Sequence, residues 1–143
     1  MTRIDCRVEA TVAAEPDAVW NVLADIERWP EWNPSCAAAE VDGPLEGRPA
    51  ARLRLVHPRG RVFHTRPRVE SIDPPGRLSW VARATGAQAP HRGDAHPRRD
   101  ETVVELTTSV SGPMAFSYRW VMRPKTQALL YGTMLGGLVE RFE

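Results

Sequence analysis

The sequence predicts an α+β fold, in which a meander of antiparallel strands packs against one long C-terminal helix. Residues 4–12 alternate between apolar and polar side chains, which is the period of a half-buried strand. Short segments with the same alternation follow between residues 37 and 110, separated by turn-forming residues. Beyond Ser111 the apolar residues recur at steps of three and four, the period of a helix. The length of 143 residues fits a single domain covering residues 1–143.

The composition is that of a soluble globular protein, with 42% hydrophobic and 26% charged residues. A formal net charge of +1 gives no reason to expect nucleic acid or an anionic membrane as a partner. The chain has no apolar run long enough for a transmembrane helix and no signal-peptide pattern at its N-terminus. Its two cysteines, Cys6 and Cys36, are too few for a disulfide framework or a zinc site. We therefore expect a cytoplasmic location, no metal site and no cofactor.

The first strand is followed by two short helices. Cys6 lies on the apolar face of the strand, where a small core residue is expected. Pro16 can begin a helix because the first turn does not need its missing N–H group. Pro30 and Pro34 prevent a long continuation, so residues 27–33 should form a turn or a second short helix. The apolar residues of the first helix are Val19, Val22, Leu23 and Ile26.

Three turn signals divide the middle of the chain into strands: Asp42-Gly43-Pro44, Pro58-Arg59-Gly60 and Asp73-Pro74-Pro75-Gly76. Leu53 and Leu55 mark one strand between these turns, and residues 62–72 form a long strand rich in polar residues. Two further apolar faces follow, with members Leu78, Trp80, Ala82 and Ala84 in one and Thr102, Val104, Leu106, Thr108 and Val110 in the other. This spacing predicts antiparallel hairpins.

Residues 87–100 interrupt the pattern of strands. The segment has no large apolar side chain and contains two prolines. Residues 87–100 could form either a polar, poorly formed strand or a long loop. We favour a short strand around residues 92–96. His91, Asp94 and His96 have the composition of a metal-ligand set, but no rigid element holds them together. We interpret them as solvated loop residues.

The last helix is expected to begin at Pro124 and to continue to Phe142. At about 1.5 Å per residue, such a helix is long enough to lie across a whole sheet. Gly132, Gly136 and Gly137 lie inside it, where each costs about 1 kcal/mol relative to alanine. We interpret them as positions of close packing or bending, the alternative being that they leave room for a ligand beneath the helix. The apolar face consists of Ala128, Tyr131, Met134, Leu135, Leu138 and Phe142.

Residues 13–25, together with the cluster Trp29-Pro30-Glu31-Trp32-Asn33-Pro34, resemble the opening of the START/Bet v 1-like (SRPBCC) superfamily, in its polyketide cyclase/dehydrase-like branch. The matching residues are Val12, Pro16, Val19, Trp20, Leu23, Asp25, Trp29, Pro30 and Trp32, and later Gly76, Leu78, Trp80 and Ser111-Gly-Pro113. The resemblance covers the whole chain and implies a helix-grip fold. In that fold a curved antiparallel sheet of six to seven strands wraps round a long C-terminal helix, with two short helices after the first strand. Residues 87–100 depart from the pattern.

A sheet that grips one helix leaves an apolar pocket between them, which is the usual site for a small molecule. The residues expected to line this ligand-binding pocket are Trp32, Leu53, Leu55, Phe63, Leu78, Trp80, Leu106, Tyr131, Met134 and Leu138.

Four residues are candidates for proton transfer or for polarising a carbonyl group: His64, Arg66, Thr65 and Tyr131. In the strand at residues 62–72 the apolar side chains favour the Phe63 face as the inner one. His64 then points outward, and Thr65 is the polar group that this strand offers to the pocket. Tyr131 lies on the long helix and can donate a hydrogen bond to a ligand.

We therefore expect the protein to bind a small hydrophobic molecule that is polyketide-, lipid- or aromatic-like. The alternative is a polyketide cyclase/aromatase or dehydratase that acts on a poly-β-keto chain, because the resembling family contains both binders and enzymes. A third hypothesis is an interaction module with a vestigial cavity, supported by residues 87–100 and by the apolar stretch at 114–122. No nucleic acid and no integral membrane association is expected, and a homodimer is compatible with a domain of this size.

Overall fold

The elements follow one another in the order that the sequence predicts for a helix-grip fold. The computed structural model describes residues 5–84 and 87–143. Its strands are β1 (Cys6–Val12), β2 (Cys36–Val41), β3 (Ala51–Val56), β4 (Val62–Thr65), β5 (Arg68–Asp73), β6 (Arg77–Ala84), β7 (Ala87–Arg98) and β8 (Glu101–Thr108). Its α-helices are α1 (Pro16–Leu23), α2 (Trp29–Trp32), α3 (Ala115–Val121) and α4 (Pro124–Arg141). A short 3-10 turn, Ile26–Arg28, leads into α2. The predicted α+β class and the two short helices after the first strand are confirmed.

The strands form two antiparallel sheets that share one core with α4. The larger sheet has the order β1-β8-β7-β6-β5, and the smaller has the order β2-β3-β4. An antiparallel bridge between Ala50 and Arg68 joins the start of β3 to the start of β5. Leu130, Met134 and Leu138 of α4 are buried in the same cluster as side chains from both sheets.

The long strand expected at residues 62–72 is divided in two, which gives eight strands in the described residues instead of six to seven. β4 ends at Thr65 and β5 begins at Arg68, on the other side of Pro67. Proline has no N–H group to donate to a ladder, so pairing is interrupted there. β4 pairs with β3, whereas β5 pairs with β6. The chain therefore changes sheets at this point.

Residues 87–98 form a central strand of the larger sheet, so the loop was a wrong prediction and the strand predicted at 92–96 was right in type but too short. β7 pairs with β6 from Ala87 to Asp94 and with β8 from His91 to Arg98. Apart from His91, its inward-facing residues are small, and a methyl group on Gly93 would lie 3.2 Å from the Leu106 side chain. Hydrogen bonds to two neighbouring strands hold a segment that has little apolar surface of its own. The residues that face the core are Ala87, Ala89, His91, Gly93 and Ala95.

The glycines of α4 have different surroundings. Gly137 is buried against the backbone carbonyl of Trp32, where a side chain would not fit. Gly132 and Gly136 are exposed, with no heavy atom within 4 Å of the position of a Cβ atom. The close-packing interpretation is therefore confirmed for Gly137, and none of the three leaves room for a ligand beneath the helix.

Two aromatic side chains on α3 face solvent: Phe116 is 66% exposed and Trp120 is 75% exposed. The other side of α3 is anchored to the sheet by Arg119, whose Nε donates to Oδ1 of Asp5 at 2.6 Å and whose second nitrogen donates to the Val110 carbonyl at 2.8 Å. In the part of the chain that the structure describes, no helix is long and apolar enough to span a membrane.

Candidate functional site

An open cleft lies between β4 of the smaller sheet and the C-terminal end of β6 of the larger sheet. The pairing of β5 with β6 ends at Arg68 and Val81, and β6 then continues to Ala84 paired with β7. β4 has moved to the smaller sheet, so a gap separates β4 from the tip of β6. The cleft has a volume of about 990 Å³, and α3 forms its third side. Its apolar lining consists of Ala38, Leu53, Val62, Phe63, Ala82, Ala87, Met114 and Met122.

A small inner cavity lies deeper in the core, separated from the cleft by side chains that line both spaces. Its volume is about 20 Å³, enough for roughly one water molecule. The residues that line both spaces are Leu53, Thr65, Ala82, Tyr118 and Met122. Movement of these side chains would therefore join the cavity to the cleft. The deeper walls of the cavity include Leu55, Trp80, His91, Tyr131 and Met134.

A hydrogen-bonded pair of polar side chains, His91 on β7 and Tyr131 on α4, borders the inner cavity. Nδ1 of His91 lies 2.7 Å from the Ala89 carbonyl oxygen, and Nε2 lies 2.6 Å from the Tyr131 hydroxyl. Burial lowers the pKa of His91 to about 4, against a smaller opposite effect of the hydrogen bond to Ala89, so the ring is neutral at pH 7. Since a carbonyl oxygen can only accept, Nδ1 carries the proton and Nε2 accepts from Tyr131.

This assignment fixes what the pair offers to a ligand. Burial raises the pKa of Tyr131 well above its ordinary value, so the phenol keeps its proton. That proton is directed at His91. The lone pairs of the Tyr131 oxygen remain, and a ligand hydroxyl group can donate to them.

Aromatic stacking holds the pair in place. The His91 ring lies on Trp80 with a centroid separation of 5.5 Å and an interplanar angle of 14°. Trp29 packs edge-on against Trp80 at 5.9 Å, and its Nε1 donates to the Leu23 carbonyl at 2.9 Å. Tyr131 completes the row at 5.4 Å from His91. Helices α2 and α4 and strands β6 and β7 each contribute one ring, so the side chains at the cavity are positioned by four elements of the fold.

The residues predicted to bind a ligand are distributed over several spaces. Those on the inner cavity are Leu53, Leu55, Trp80, Tyr131 and Met134, and Phe63 joins Leu53 on the cleft. Leu78 and Leu106 border a separate space of about 10 Å³, together with Trp80 and Met134. Trp32 and Leu138 line none of these three spaces and are buried core residues.

The four candidates for proton transfer do not all line the same space. Thr65 lines both the cleft and the inner cavity, and Tyr131 lines the cavity. His64 and Arg66 line only the cleft, and both are exposed, as predicted for the outward face. The structure therefore places Thr65 and Tyr131 on one small cavity and leaves His64 and Arg66 at its outer rim.

His91 was missed as a site residue, and its interpretation as a solvated loop residue was wrong. It is 5% exposed, and Asp94, the second residue interpreted in this way, is 4% exposed. Residues three apart in a strand lie on opposite faces, so Asp94 points away from His91. Its carboxylate accepts from Arg77 and Arg92, at 2.8 Å each. In residues 5–84 and 87–143, no group of three His, Cys, Asp or Glu side chains is arranged to hold a metal ion.

Comparison with known proteins assigns the family. The sequence profile of the polyketide cyclase / dehydrase and lipid transport family matches residues 3–143. The chain belongs to this family. A search among curated proteins gave no match.

Solved structures show the same fold at low sequence identity. A protein from Thermus thermophilus is similar with a TM-score of 0.78 and 20% identity, over 96% of this chain and 95% of the other. The Zhui aromatase/cyclase from Streptomyces sp. R1128 has a TM-score of 0.75 and 18% identity, over 100% and 97%. A START superfamily protein from Mycobacterium smegmatis has a TM-score of 0.73 and 18% identity, over 95% and 94%. These likenesses confirm the predicted START-like, helix-grip fold.

Proposed function

We propose that this member of the polyketide cyclase / dehydrase and lipid transport family binds a small hydrophobic molecule in the cleft between β4 and the tip of β6. The observation that carries the proposal is the cleft itself, with its volume of about 990 Å³ and its apolar floor. Pockets for small molecules have volumes of about 300–1,000 Å³ and mostly apolar walls. Burial of an apolar ligand against Leu53, Phe63 and Met122 supplies about 25 cal/mol per Å². Ordering costs reduce this gain, and we expect micromolar affinity.

The inner end of the cleft provides the polar part of the proposed site. A ligand that displaces Tyr118 and Met122 would reach the inner cavity and the Tyr131 oxygen. Because the Tyr131 proton is engaged by His91, a hydroxyl or enol group fits this position better than a carbonyl oxygen, which needs a donor. The proposed ligand is therefore largely apolar with a hydroxyl-type group at its inner end.

A substitution that fills the cleft tests this proposal. Ala82 lines both spaces and is only partly buried, so Ala82→Trp should occupy the binding volume without disturbing the closed core. The matched control is Ala37→Trp, at an exposed position of β2 outside the cleft. We expect the neutral fluorescent probe N-phenyl-1-naphthylamine to bind the wild type and the control alike, and Ala82→Trp about tenfold more weakly or not at all. Equal binding by all three proteins, or by none, would overturn the proposal.

The hydrogen-bonded pair at the cavity favours one alternative, a cyclase/aromatase or dehydratase. Closure of a poly-β-keto chain requires proton removal from a methylene group and stabilisation of an enolate oxygen. With a pKa of about 4, His91 is a weak base at neutral pH, so the pair supports binding more strongly than proton transfer. Turnover of a poly-β-keto thioester by the wild type, lost in Tyr131→Phe, would establish the enzyme. Tight binding without turnover would favour the binding function.

The interaction-module hypothesis loses one of its two supports, because residues 87–98 are a central strand rather than an exposed segment. A homodimer, a single domain and a cytoplasmic location remain predictions from the sequence. Cys6 and Cys36 are both free and buried, which is compatible with a reducing compartment.

A further inference from the structure

The rim of the cleft carries a concentration of positive charge that the overall composition does not suggest. Five arginines line it, Arg52, Arg54, Arg61, Arg66 and Arg83, and Glu40 is the acidic residue among its lining side chains. Glu40 accepts from Arg52 at 2.7 Å. The other four have no carboxylate partner within residues 5–84 and 87–143. The whole chain, in contrast, has a net charge of only +1.

The topology of the sheets brings these arginines together. Arg54 on β3 is directly opposite His64 on β4, so it lies on the outer face beside the free edge of that strand. Arg66 follows the end of β4, and Arg83 lies on the part of β6 that extends beyond its pairing with β5. Arg66, next to the end of β4, and Arg83, on β6, therefore lie on the two sides of the cleft that both of them line. Like charges on opposite sides of a cleft repel each other, and an anion between them lowers this energy.

The floor of the cleft is apolar directly below the charged rim. The Arg61 guanidinium lies 4.7 Å from the centroid of the Phe63 ring. Phe63 itself is 8% exposed and shares the floor with Leu53 and Met122. Guanidinium groups bind carboxylates and phosphates through paired N–H donors, whereas the side chains below them favour hydrocarbon. Charged and apolar side chains are thus in direct contact at Arg61 and Phe63, and both kinds line the same cleft.

We propose that the ligand of this cleft is an anionic amphiphile, whose carboxylate or phosphate group is bound by Arg66 and Arg83 and whose apolar body lies on Leu53, Phe63 and Met122. This inference rests on the proposed function and names its ligand class. The anionic group remains at the mouth, and the opposite end of the molecule points towards the inner cavity.

The test compares ligands that share one alkyl chain and differ in the head group. Decanoic acid, decyl phosphate and decanol are titrated against the wild type in competition with N-phenyl-1-naphthylamine. We expect the two anions to bind about tenfold more tightly than the alcohol at low ionic strength, with a smaller difference at high salt. A stronger preference for the phosphate assigns a phosphorylated ligand, and a stronger preference for the acid assigns a carboxylate.

Variants of exposed arginines locate the effect. Arg66→Gln/Arg83→Gln should remove the preference for the anions, so that their affinity falls to that of decanol for the same variant. The control is Arg98→Gln, an exposed arginine at the far end of β7 that does not line the cleft, and it should behave as the wild type. Equal binding of anions and alcohol by the wild type would overturn this inference and leave the proposed function intact. Failure of all three ligands and of the neutral probe would instead overturn the proposed function.

Discussion

His91 is the residue whose environment differs most from its ordinary chemistry. Its ring is enclosed between Trp80 and Tyr131, and both of its nitrogens have partners. In the neutral form both ring nitrogens have partners, whereas the protonated form would place a positive charge in a buried site away from water. Burial therefore lowers the pKa of this histidine to about 4. This shift links His91 to the acid stability of the protein.

We predict that His91 makes the protein sensitive to acid between about pH 6.5 and pH 4. In this range the unfolded chain binds a proton at His91 that the folded chain does not, so the free energy of unfolding decreases as the pH falls. The decrease attributable to His91 is about 3 kcal/mol in total, for a pKa difference of this size. Urea unfolding at neutral pH and near pH 4 should show this loss in the wild type and a smaller loss in His91→Gln.

His96 provides the control for this prediction, since it lies exposed on the same strand. His96→Gln keeps His91 and should follow the wild-type pH profile. A parallel profile for His91→Gln would show that the buried histidine does not carry the acid sensitivity.

Among the helices and strands, those that a local sequence pattern determines could be predicted from the sequence. The alternation in β1, the proline that begins α1 and the helical spacing of Tyr131, Met134 and Leu138 in α4 all gave the observed elements. These patterns are strong because each element buries a large apolar face by itself.

β7 shows where local reasoning was insufficient. Its inner face carries alanines, a glycine and His91, so no hydrophobic period of ordinary strength exists. The strand is determined by hydrogen bonds to β6 and β8, which are distant in sequence, and by the space that Trp80 and Leu106 occupy beside Gly93. The available signal was the recurrence of small residues at every second position. Without β7 as a strand, the partnership of His91 with Tyr131 could not be predicted.

Two adjacent glycines of α4 give a matched pair of substitutions. Gly137→Ala should destabilise the protein by about 1–3 kcal/mol, because the new methyl group must displace the Trp32 carbonyl and the Pro34 ring. Gly136→Ala should instead stabilise it by up to about 1 kcal/mol, because this position is exposed within a helix. Chemical denaturation of both variants measures the change in the free energy of unfolding, which should have opposite signs for the two substitutions. Equal effects of the two substitutions would contradict the packing of α4 against the segment after α2.

At the scale of the whole molecule, the cleft results from a change of sheet rather than from any single motif. Pro67 separates β4 from β5, and β6 continues beyond the last residue that β5 can pair. The sequence contained the proline, but the resulting gap depends on the lengths of strands that pair at long range. For the same reason, the positions of Arg66 and Arg83 on opposite banks could not be predicted from the sequence. The predicted lining residues Leu53 and Phe63 did reach the cleft because their strand faces follow from simple alternation.

An amide NMR titration with decanol reports both whether the cleft binds a hydrophobic ligand and where that ligand lies. We predict saturable shifts on both sides of the cleft, at the amides of Leu53 and Phe63 on one side and of Ala82 and Tyr118 on the other. A neutral ligand is chosen so that the result does not depend on the arginine rim. Two results would contradict binding in the cleft. One is the absence of saturable shifts, and the other is shifts confined to the exposed aromatic side chains of α3, Phe116 and Trp120.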